Sequence, residues 1–366
     1  MYPLYALLFA DTGLSGAEIS ALFAVWSAVG IAAEVPSGAL ADRFSRRGAL
    51  VLGGVLQALG YVLWTAFPGF AAFAAGFALW GLGGAFVSGA SESLVYDGLA
   101  AAGARAHFAR VHGWMEAAGQ LAQVPVAVAA TVLFATGGYE LVGWVSVGMC
   151  LAAAAVAARL PEPPRSGEEG HAAVAGYLAT LRTGLREALS RALVRRALLA
   201  VALLTGLDAI EEYFPLMARA WGLPTEAVPL AMAAIPLVGA LGSAFGGRAG
   251  RLGARGLTVV YGLAALLFAG AAVVRHPAGL ALIAAFYGLY RAVLVVADAR
   301  LQDRIGSAAR ATVTSVAGLA TELAVFSVYL AWVAGEMVAV TGLVVVVAAV
   351  LPYAFRAPRA GIPVQV

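Results

Sequence analysis

The sequence predicts an all-α polytopic membrane protein, with twelve helices in two pseudo-symmetric six-helix bundles. Of its 366 residues, 62% are hydrophobic and only 12% are charged, and the mean hydropathy is +0.89. A soluble domain carries about 25% charged residues, so a large soluble core is excluded. Apolar runs of about 20 residues recur along nearly the whole chain, and each is long enough to cross roughly 30 Å of hydrocarbon as a helix. Charged turns separate the runs, and the second half of the chain repeats the pattern of the first.

The order of apolar runs predicts one short and eleven full-length membrane spans. Turn residues such as Pro68-Gly69 and Gly137-Gly138 separate them. The first run, 1–10, covers only about 15 Å as a helix, about half of what a span needs. The predicted spans are 1–10, 18–41, 48–67, 70–99, 111–135, 140–158, 197–221, 225–245, 256–274, 278–299, 311–333 and 336–355.

One composition shift divides the chain. Residues 159–196 contain Pro161-Glu-Pro-Pro164 and then leucines at helical spacing with arginines between them, a pattern typical of an amphipathic helix lying on a membrane surface. We interpret this stretch as a linker between two bundles, with a regulatory or calmodulin-like site as the alternative. The predicted domains are an N-terminal bundle (1–158), the cytoplasmic linker (159–196), a C-terminal bundle (197–355) and a cytoplasmic tail (356–366).

The basic residues predict the orientation of the chain. All 23 are arginine, and if the turns alternate sides, 20 of them lie on one side of the membrane. The positive-inside rule assigns that side, and both termini, to the cytoplasm of a plasma-membrane protein. Because these arginines occupy short loops, the net charge of +3 does not indicate a nucleic-acid partner. Cys150 is the single cysteine, so the sequence indicates no disulfide framework and no metal or redox pair.

A charged hairpin links the second and third spans. It reads Gly38-Ala-Leu-Ala-Asp42-Arg43-Phe-Ser-Arg46-Arg47-Gly48, and four charges in six residues must lie at a membrane surface. The pattern resembles the loop between the second and third helices of the major facilitator superfamily, G-x-x-x-D-R-x-G-R-R, with Ser45 where the family usually has glycine. Shifted by 208 residues, the hairpin aligns with Gly246 to Gly256, so the two halves are pseudo-repeats.

The resemblance covers essentially the whole chain and implies a secondary transporter of twelve helices. It implies that 1–10 is the second half of a first helix completed by residues before Met1. It also implies that Asp42 and its neighbouring arginines form a cytoplasmic latch that holds the outward-facing state. Glu34, Glu92 and Asp97 lie near the same rim, where we expect them to pair with arginines. The predicted gate motif is Gly38, Asp42, Arg43, Arg46, Arg47, Glu92 and Asp97.

Three carboxylates in the seventh span form the sharpest candidate site. Asp208, Glu211 and Glu212 are spaced by three and four residues, which places them on one face of an α-helix. Like charges so close together suit a reversible proton carrier or a site for a cationic solute. The alternative is that the helix unwinds here toward the outer surface, near Pro215, and that the carboxylates are simply solvated.

Other polar residues within the spans extend the predicted substrate and proton site. Arg291 is the only arginine well inside a span and needs a carboxylate such as Asp208, for a functional role or as a structural ion pair. Glu116 with Gln120 and Gln123, and Glu322 in the eleventh span, line a cavity or form interhelical hydrogen bonds. Asp11 lies at the outer mouth. The predicted site is Asp208, Glu211, Glu212, Arg291, Glu116, Gln120, Glu322 and Asp11.

The acidic excess of this set favours cationic or neutral amphiphilic solutes over anions. We expect proton-coupled efflux of a drug or metabolite by alternating access, with the lipid bilayer, the small-molecule substrate and protons as partners of a monomer. Helix four lacks the buried arginine and helix five the G-x-x-x-G-P pattern of many exporters in the family, which weakens proton-driven export. No phosphate-binding loop or hydrolase motif occurs, so we predict neither an enzyme nor a cofactor nor a metal. A non-transporting receptor or scaffold on the same fold, or a lipid translocase, is the alternative.

Overall fold

The computed structural model describes residues 1–162, 192–304 and 310–355. These residues form two compact units. The first unit holds residues 1–162 and 224–233, and the second unit holds residues 192–223, 234–304 and 310–355. Most of the predicted linker, 163–191, and the predicted tail, 356–366, lie outside the described residues. The predicted division into domains therefore stays a prediction.

The first unit is built of helices that follow the apolar runs. The helices are α1 (Tyr5–Asp11), α2 (Gly16–Arg43), α3 (Arg46–Ala66), α4 (Phe70–Ala101) and α5 (Phe108–Ala157). Ser15 begins α2 with a capping box, in which its side chain accepts from the Glu18 amide and the Glu18 carboxylate accepts from the Ser15 amide. Non-helical backbone at Gly137 and Gly138 breaks α5 into two arms, as the glycine pair predicts.

The second unit repeats this plan with one interrupted helix. Its elements are α6 (Ala192–Gly206), a 3₁₀ segment (Leu207–Tyr213), α7 (Phe214–Ala220), α8 (Val228–Ala244), α9 (Gly246–Ala249), α10 (Ala254–Val274), α11 (Gly279–Arg304) and α12 (Arg310–Ala354). The first six residues of α8 belong to the first unit. Gly335 and Glu336 break α12 as Gly137 and Gly138 break α5. The described part of α6 already includes five residues before the predicted seventh span.

The described helices confirm an all-α membrane fold. Eight of them are long and apolar enough to cross a membrane, and two of these eight are broken at their middle glycines. Each broken helix counts as two spans. With the short α1 and the interrupted segment from Ala192 to Ala220 added, the count agrees with the predicted twelve.

Glycines let the helices of the first unit pack at backbone distance. A Cβ added at Gly53 would lie 2.7 Å from the carbonyl oxygen of Gly83, and one at Gly60 would lie 2.9 Å from that of Gly76. The two glycines on each helix are seven residues apart, so they form one stripe where α3 meets α4. Small residues are the usual means of helix contact in a membrane, where van der Waals packing replaces the hydrophobic drive.

An aromatic cluster holds α1 in the first unit. Tyr5 and Phe9 are buried and contact Trp64 of α3, at ring-centre distances of 5.8 and 5.4 Å. Phe73 and Phe77 of α4 complete the cluster, at 4.3 and 5.6 Å from Phe9. The Trp64 indole donates to the Phe73 carbonyl, so the polar end of this large ring is satisfied.

Glycines also allow close helix packing in the second unit, where α8 meets α11. A Cβ added at Gly242 would overlap the carbonyl group of Gly288, and one at Gly239 would lie 2.5 Å from the ring of Tyr287. The backbones of α8 and α11 can approach this closely only because both positions lack a side chain. This close approach also fixes the position of α11, which carries the site described below.

We expect Gly242→Ala to lower the free energy of unfolding by about 1–3 kcal/mol, because the added methyl group forces α8 away from α11. Thermal unfolding of the detergent-purified protein measures this change. Gly262→Ala is the matched control: Gly262 lies inside α10 with nothing within 4 Å of an added Cβ, and alanine should stabilise the helix by about 0.5–1 kcal/mol. Equal effects of the two substitutions would contradict the close approach at Gly242.

Candidate functional site

The segment with the three predicted carboxylates is not an α-helix. Residues Leu207–Tyr213 form a 3₁₀ helix between α6 and α7, so the predicted single face of the carboxylates is wrong. With three residues per turn, Asp208 and Glu211 align along one line, and Glu212 points about 120° away from it. Of the alternative left open by the sequence, the departure from α-helical geometry near Pro215 is observed, and the simple solvation of the carboxylates is not. Both glutamates are half-buried rather than fully exposed.

Asp208 and Arg291 form an ion pair inside the second unit. The Arg291 Nη1 atom lies 3.2 Å from Asp208 Oδ2 and 3.5 Å from Oδ1, and each side chain is 32% exposed. A guanidinium in the middle of the apolar helix α11 would cost several kcal/mol without such a partner. The structure thus brings together two residues that the sequence analysis placed in the same site.

Two tyrosines that the sequence analysis missed complete this cluster. The hydroxyl of Tyr290 lies 2.9 Å from Asp208 Oδ1 and 2.6 Å from the Leu204 carbonyl oxygen, and the Tyr287 hydroxyl lies 3.3 Å from Oδ1. Both tyrosines are buried. Their position in an apolar run made them look like core residues, and only the spacing 287, 290, 291, which puts them on one side of α11 with Arg291, carried a signal.

The cluster changes its charge when Asp208 takes up or releases a proton. As a carboxylate, Asp208 is balanced by one guanidinium and accepts hydrogen bonds from hydroxyl groups. As a carboxylic acid, it becomes a donor and loses most of its attraction to Arg291. A bound proton therefore changes both the charge of the cluster and its hydrogen bonds.

Four further residues belong to the predicted site: Asp11, Gln120, Glu322 and Glu116. The Tyr139 hydroxyl donates to Asp11 Oδ2 at 2.6 Å, which links α1 to the second arm of α5. Gln120 is exposed, and its side-chain oxygen accepts from Gln123 at 3.4 Å. Glu322 is half-buried on α12. The side chain of Glu116 lies outside the described residues. Their roles in a substrate site stay predictions.

The charged hairpin of the first unit is held by two acidic residues. Arg46 forms an ion pair with Asp97 of α4 and donates to the Ser93 carbonyl at 3.3 Å. Glu162 accepts from the Ser45 hydroxyl at 2.6 Å and from the Arg46 amide at 2.9 Å. The sequence analysis missed Glu162, because its partners lie more than 110 residues away in the chain.

Ser45 has a clear role at the position where the resembled family has glycine. Its hydroxyl accepts from the Gly48 amide at 2.7 Å while it donates to Glu162, so it caps the N-terminus of α3. A carboxylate at this helix end also interacts favourably with the helix dipole. Glu162 therefore ties the segment that follows α5 to the beginning of α3.

Contacts of three other gate residues are also described. Arg47 lies 3.8 Å from Glu162 and donates to the Leu160 carbonyl at 3.4 Å. Gly38 lies against Gly89 of α4, and Arg43 lies over the ring of Phe44. The side chain of Asp42 lies outside the described residues.

Among the described residues no ion pair of Glu92 is seen, so its expected pairing with an arginine stays a prediction. The Glu92 side chain is exposed, and the ion pair with Arg46 is made by Asp97 instead. Five residues separate Glu92 from Asp97, which turns the two side chains to different sides of α4. Within the described ranges, no group of three or more His, Cys, Asp or Glu residues is placed to hold a metal ion.

Comparison with known proteins agrees with this architecture. The family model described as Major Facilitator Superfamily matches residues 1–329. Among solved structures, the nucleoside transporter NupG has a TM-score of 0.74 at 14% identity, with 97% of this chain and 94% of that chain covered. The D-xylose-proton symporter has a TM-score of 0.67 at 16% identity, with coverages of 95% and 90%.

A third neighbour, the POT family transporter PepTSo, has a TM-score of 0.70 at 15% identity, with 93% of this chain and 89% of that chain covered. At such identities the likeness shows the fold alone. No curated protein matches the sequence.

We expect Arg291→Gln to lower the free energy of unfolding by about 1–3 kcal/mol, because it leaves the Asp208 charge without its cation. Adding Asp208→Asn to Arg291→Gln should restore part of this loss. Thermal unfolding of the two single variants and the double variant measures the coupling between the residues. Arg255→Gln, at an exposed arginine, is the control and should change stability by less than about 0.5 kcal/mol. Additive effects of the two site substitutions would contradict the ion pair.

Glu162→Ala should loosen the first turn of α3, because the Ser45 hydroxyl and the Arg46 amide both lose their acceptor. A loss of about 1 kcal/mol corresponds to about fivefold faster hydrogen exchange of the amides in this turn. Exchange followed by mass spectrometry of peptides from residues 44–52 measures the change. Glu140→Ala, at an exposed glutamate of the same unit, is the control. Unchanged protection after Glu162→Ala would show that the contact does not stabilise the helix end.

Proposed function

Since the chain belongs to the Major Facilitator Superfamily, we propose that it is a secondary active transporter that couples movement of a small solute to movement of a proton at Asp208. The family match over most of the chain supports transport in general. The Asp208–Arg291 pair with its two tyrosine hydroxyls is the observation that carries the proton coupling.

The case for a proton rests on the cost of charge in an apolar helix bundle. Protonation of Asp208 removes one negative charge and frees Arg291 to interact with another acceptor. Glu211 lies one 3₁₀ turn further along the same side of this helix. Its carboxylate is the nearest one on that side that can pair with Arg291. Protonation of Asp208 therefore changes the groups that pair with Arg291. A coupled transporter requires such a change.

The proposed solute is cationic or neutral. The 3₁₀ segment carries three carboxylates, and Arg291 balances one of them, so an anion would meet net negative charge. Two proteins with similar solved structures are a nucleoside transporter and a D-xylose-proton symporter, and nucleosides and pentoses are therefore the first neutral solutes to test. The efflux of drugs predicted from the sequence belongs to the same proposal. The direction of solute flux decides between efflux and uptake.

The test uses the full chain in liposomes with a trapped pH-sensitive dye. Nucleosides, pentoses, dipeptides and lipophilic cations are added on one side, with a pH gradient imposed in either direction. At least one solute class should move protons across the membrane in the wild type. Asp208→Asn should reduce this solute-dependent proton movement to the level of empty liposomes, because asparagine cannot take up a proton.

Glu226→Gln is the matched control, since Glu226 is an exposed carboxylate outside this cluster, and it should keep the wild-type proton movement. Solute uptake without proton movement would overturn the coupling and leave transport. No flux of any tested solute in either direction would favour the non-transporting receptor.

A further inference from the structure

The hydroxyl of Tyr290 has two acceptors and only one proton. Its ring is 1% exposed and stacks on Phe286 with ring centres 5.7 Å apart, so the side chain is held in place on α11. Its oxygen lies 2.6 Å from the Leu204 carbonyl oxygen and 2.9 Å from Asp208 Oδ1. Both distances are within the usual range of an O–H···O hydrogen bond.

Counting protons decides how both contacts can exist at once. A carbonyl oxygen has no proton, so the Tyr290 hydroxyl must be the donor to Leu204. With Asp208 ionised and paired with Arg291, the hydroxyl can instead turn its one proton to Oδ1, and the contact with Leu204 then has no proton of its own. With Asp208 as a carboxylic acid, the carboxyl proton serves the contact with Tyr290, and both contacts are hydrogen bonds. The position of the Tyr290 oxygen therefore suits both protonation states of Asp208.

We propose that Asp208 holds the coupled proton on Oδ1 and donates it to Tyr290, while Tyr290 donates to the Leu204 carbonyl. When the Asp208 proton leaves to water, the Tyr290 hydroxyl turns its own proton from Leu204 to the new carboxylate, and Arg291 pairs with Oδ2. Tyr290 is thus a positioning residue that gives the proton site two alternative hydrogen-bonded states. This inference rests on the proposed function, because it names the atoms that hold its proton.

The surrounding groups leave Oδ1 as the oxygen for this proton. Arg291 lies closer to Oδ2, at 3.2 Å against 3.5 Å for Oδ1, and disfavours a proton there. The Tyr287 hydroxyl, at 3.3 Å from Oδ1, is a weaker third contact. The other titratable groups of the 3₁₀ segment are Glu211, Glu212 and Tyr213. The neighbouring helices add Arg291 and Tyr287 of α11, Tyr261 of α10, and Glu322 and Tyr329 of α12.

Infrared difference spectroscopy of the full chain during a pH titration tests the proposal without any solute. The wild type should show a carboxylic-acid C=O band that disappears as the pH rises, and Asp208→Asn should lack this band. In Tyr290→Phe the band should move to higher frequency, because the acid loses its acceptor. Tyr261→Phe is the matched control: the Tyr261 hydroxyl is buried without a partner among the described residues, and its loss should leave the band unchanged.

A second measurement needs no substitution at Tyr290. In wild-type protein with isotope-labelled tyrosine, a tyrosine C–O band should change with the same pH midpoint as the carboxylic-acid band. An identical C=O frequency in wild type and Tyr290→Phe, or no tyrosine band that follows the titration, would overturn the inference. Solute-coupled proton movement in liposomes fails or succeeds independently of these bands, so the two proposals can be told apart.

Discussion

The ion pair between Asp208 and Arg291 is the interaction on which the second unit depends. Water cannot solvate a guanidinium well inside an apolar helix, so the protein must provide the hydrogen bonds that water would have made. Asp208 and the aromatic side of α11 do so. The close approach of α8 to α11 at Gly239 and Gly242 then keeps Tyr287 and Arg291 in place. Helix packing and charge compensation are therefore two parts of one arrangement.

The first unit solves the same problem at its surface rather than inside. The arginines of its hairpin lie at a helix end, where Asp97 and Glu162 share them with backbone carbonyl groups. Exposed ion pairs contribute little each. Here the Ser45 hydroxyl, which caps α3, and the Arg46 amide both donate to the Glu162 carboxylate. One carboxylate therefore satisfies a helix end as well as a cation. The loss of this carboxylate would therefore affect the helix end and the cation together.

Much of this could be predicted from the sequence, and the failures have physical causes. A run of 20 apolar residues has one stable form in a bilayer, so the helices and the glycine breaks in α5 and α12 followed directly. A seven-residue 3₁₀ segment between two α-helices has no pattern of its own, and the shared face of Asp208, Glu211 and Glu212 was wrong for that reason. Glu162 and Tyr290 act through partners more than 80 residues away, and no local spacing reveals such a contact.

The interruption of the seventh span gives the site its two states. In a continuous α-helix Asp208 would have its neighbours at fixed i+3 and i+4 positions and its backbone in one hydrogen-bond pattern. The change from α to 3₁₀ at Gly206 and Leu207 places the Leu204 carbonyl and the Asp208 side chain within reach of one tyrosine hydroxyl. A single proton on that hydroxyl can serve only one of them at a time. The two hydrogen-bonded states then differ by one proton on Asp208. A solute that favours one state changes the affinity for the proton, and the proton changes the affinity for that solute by the same factor.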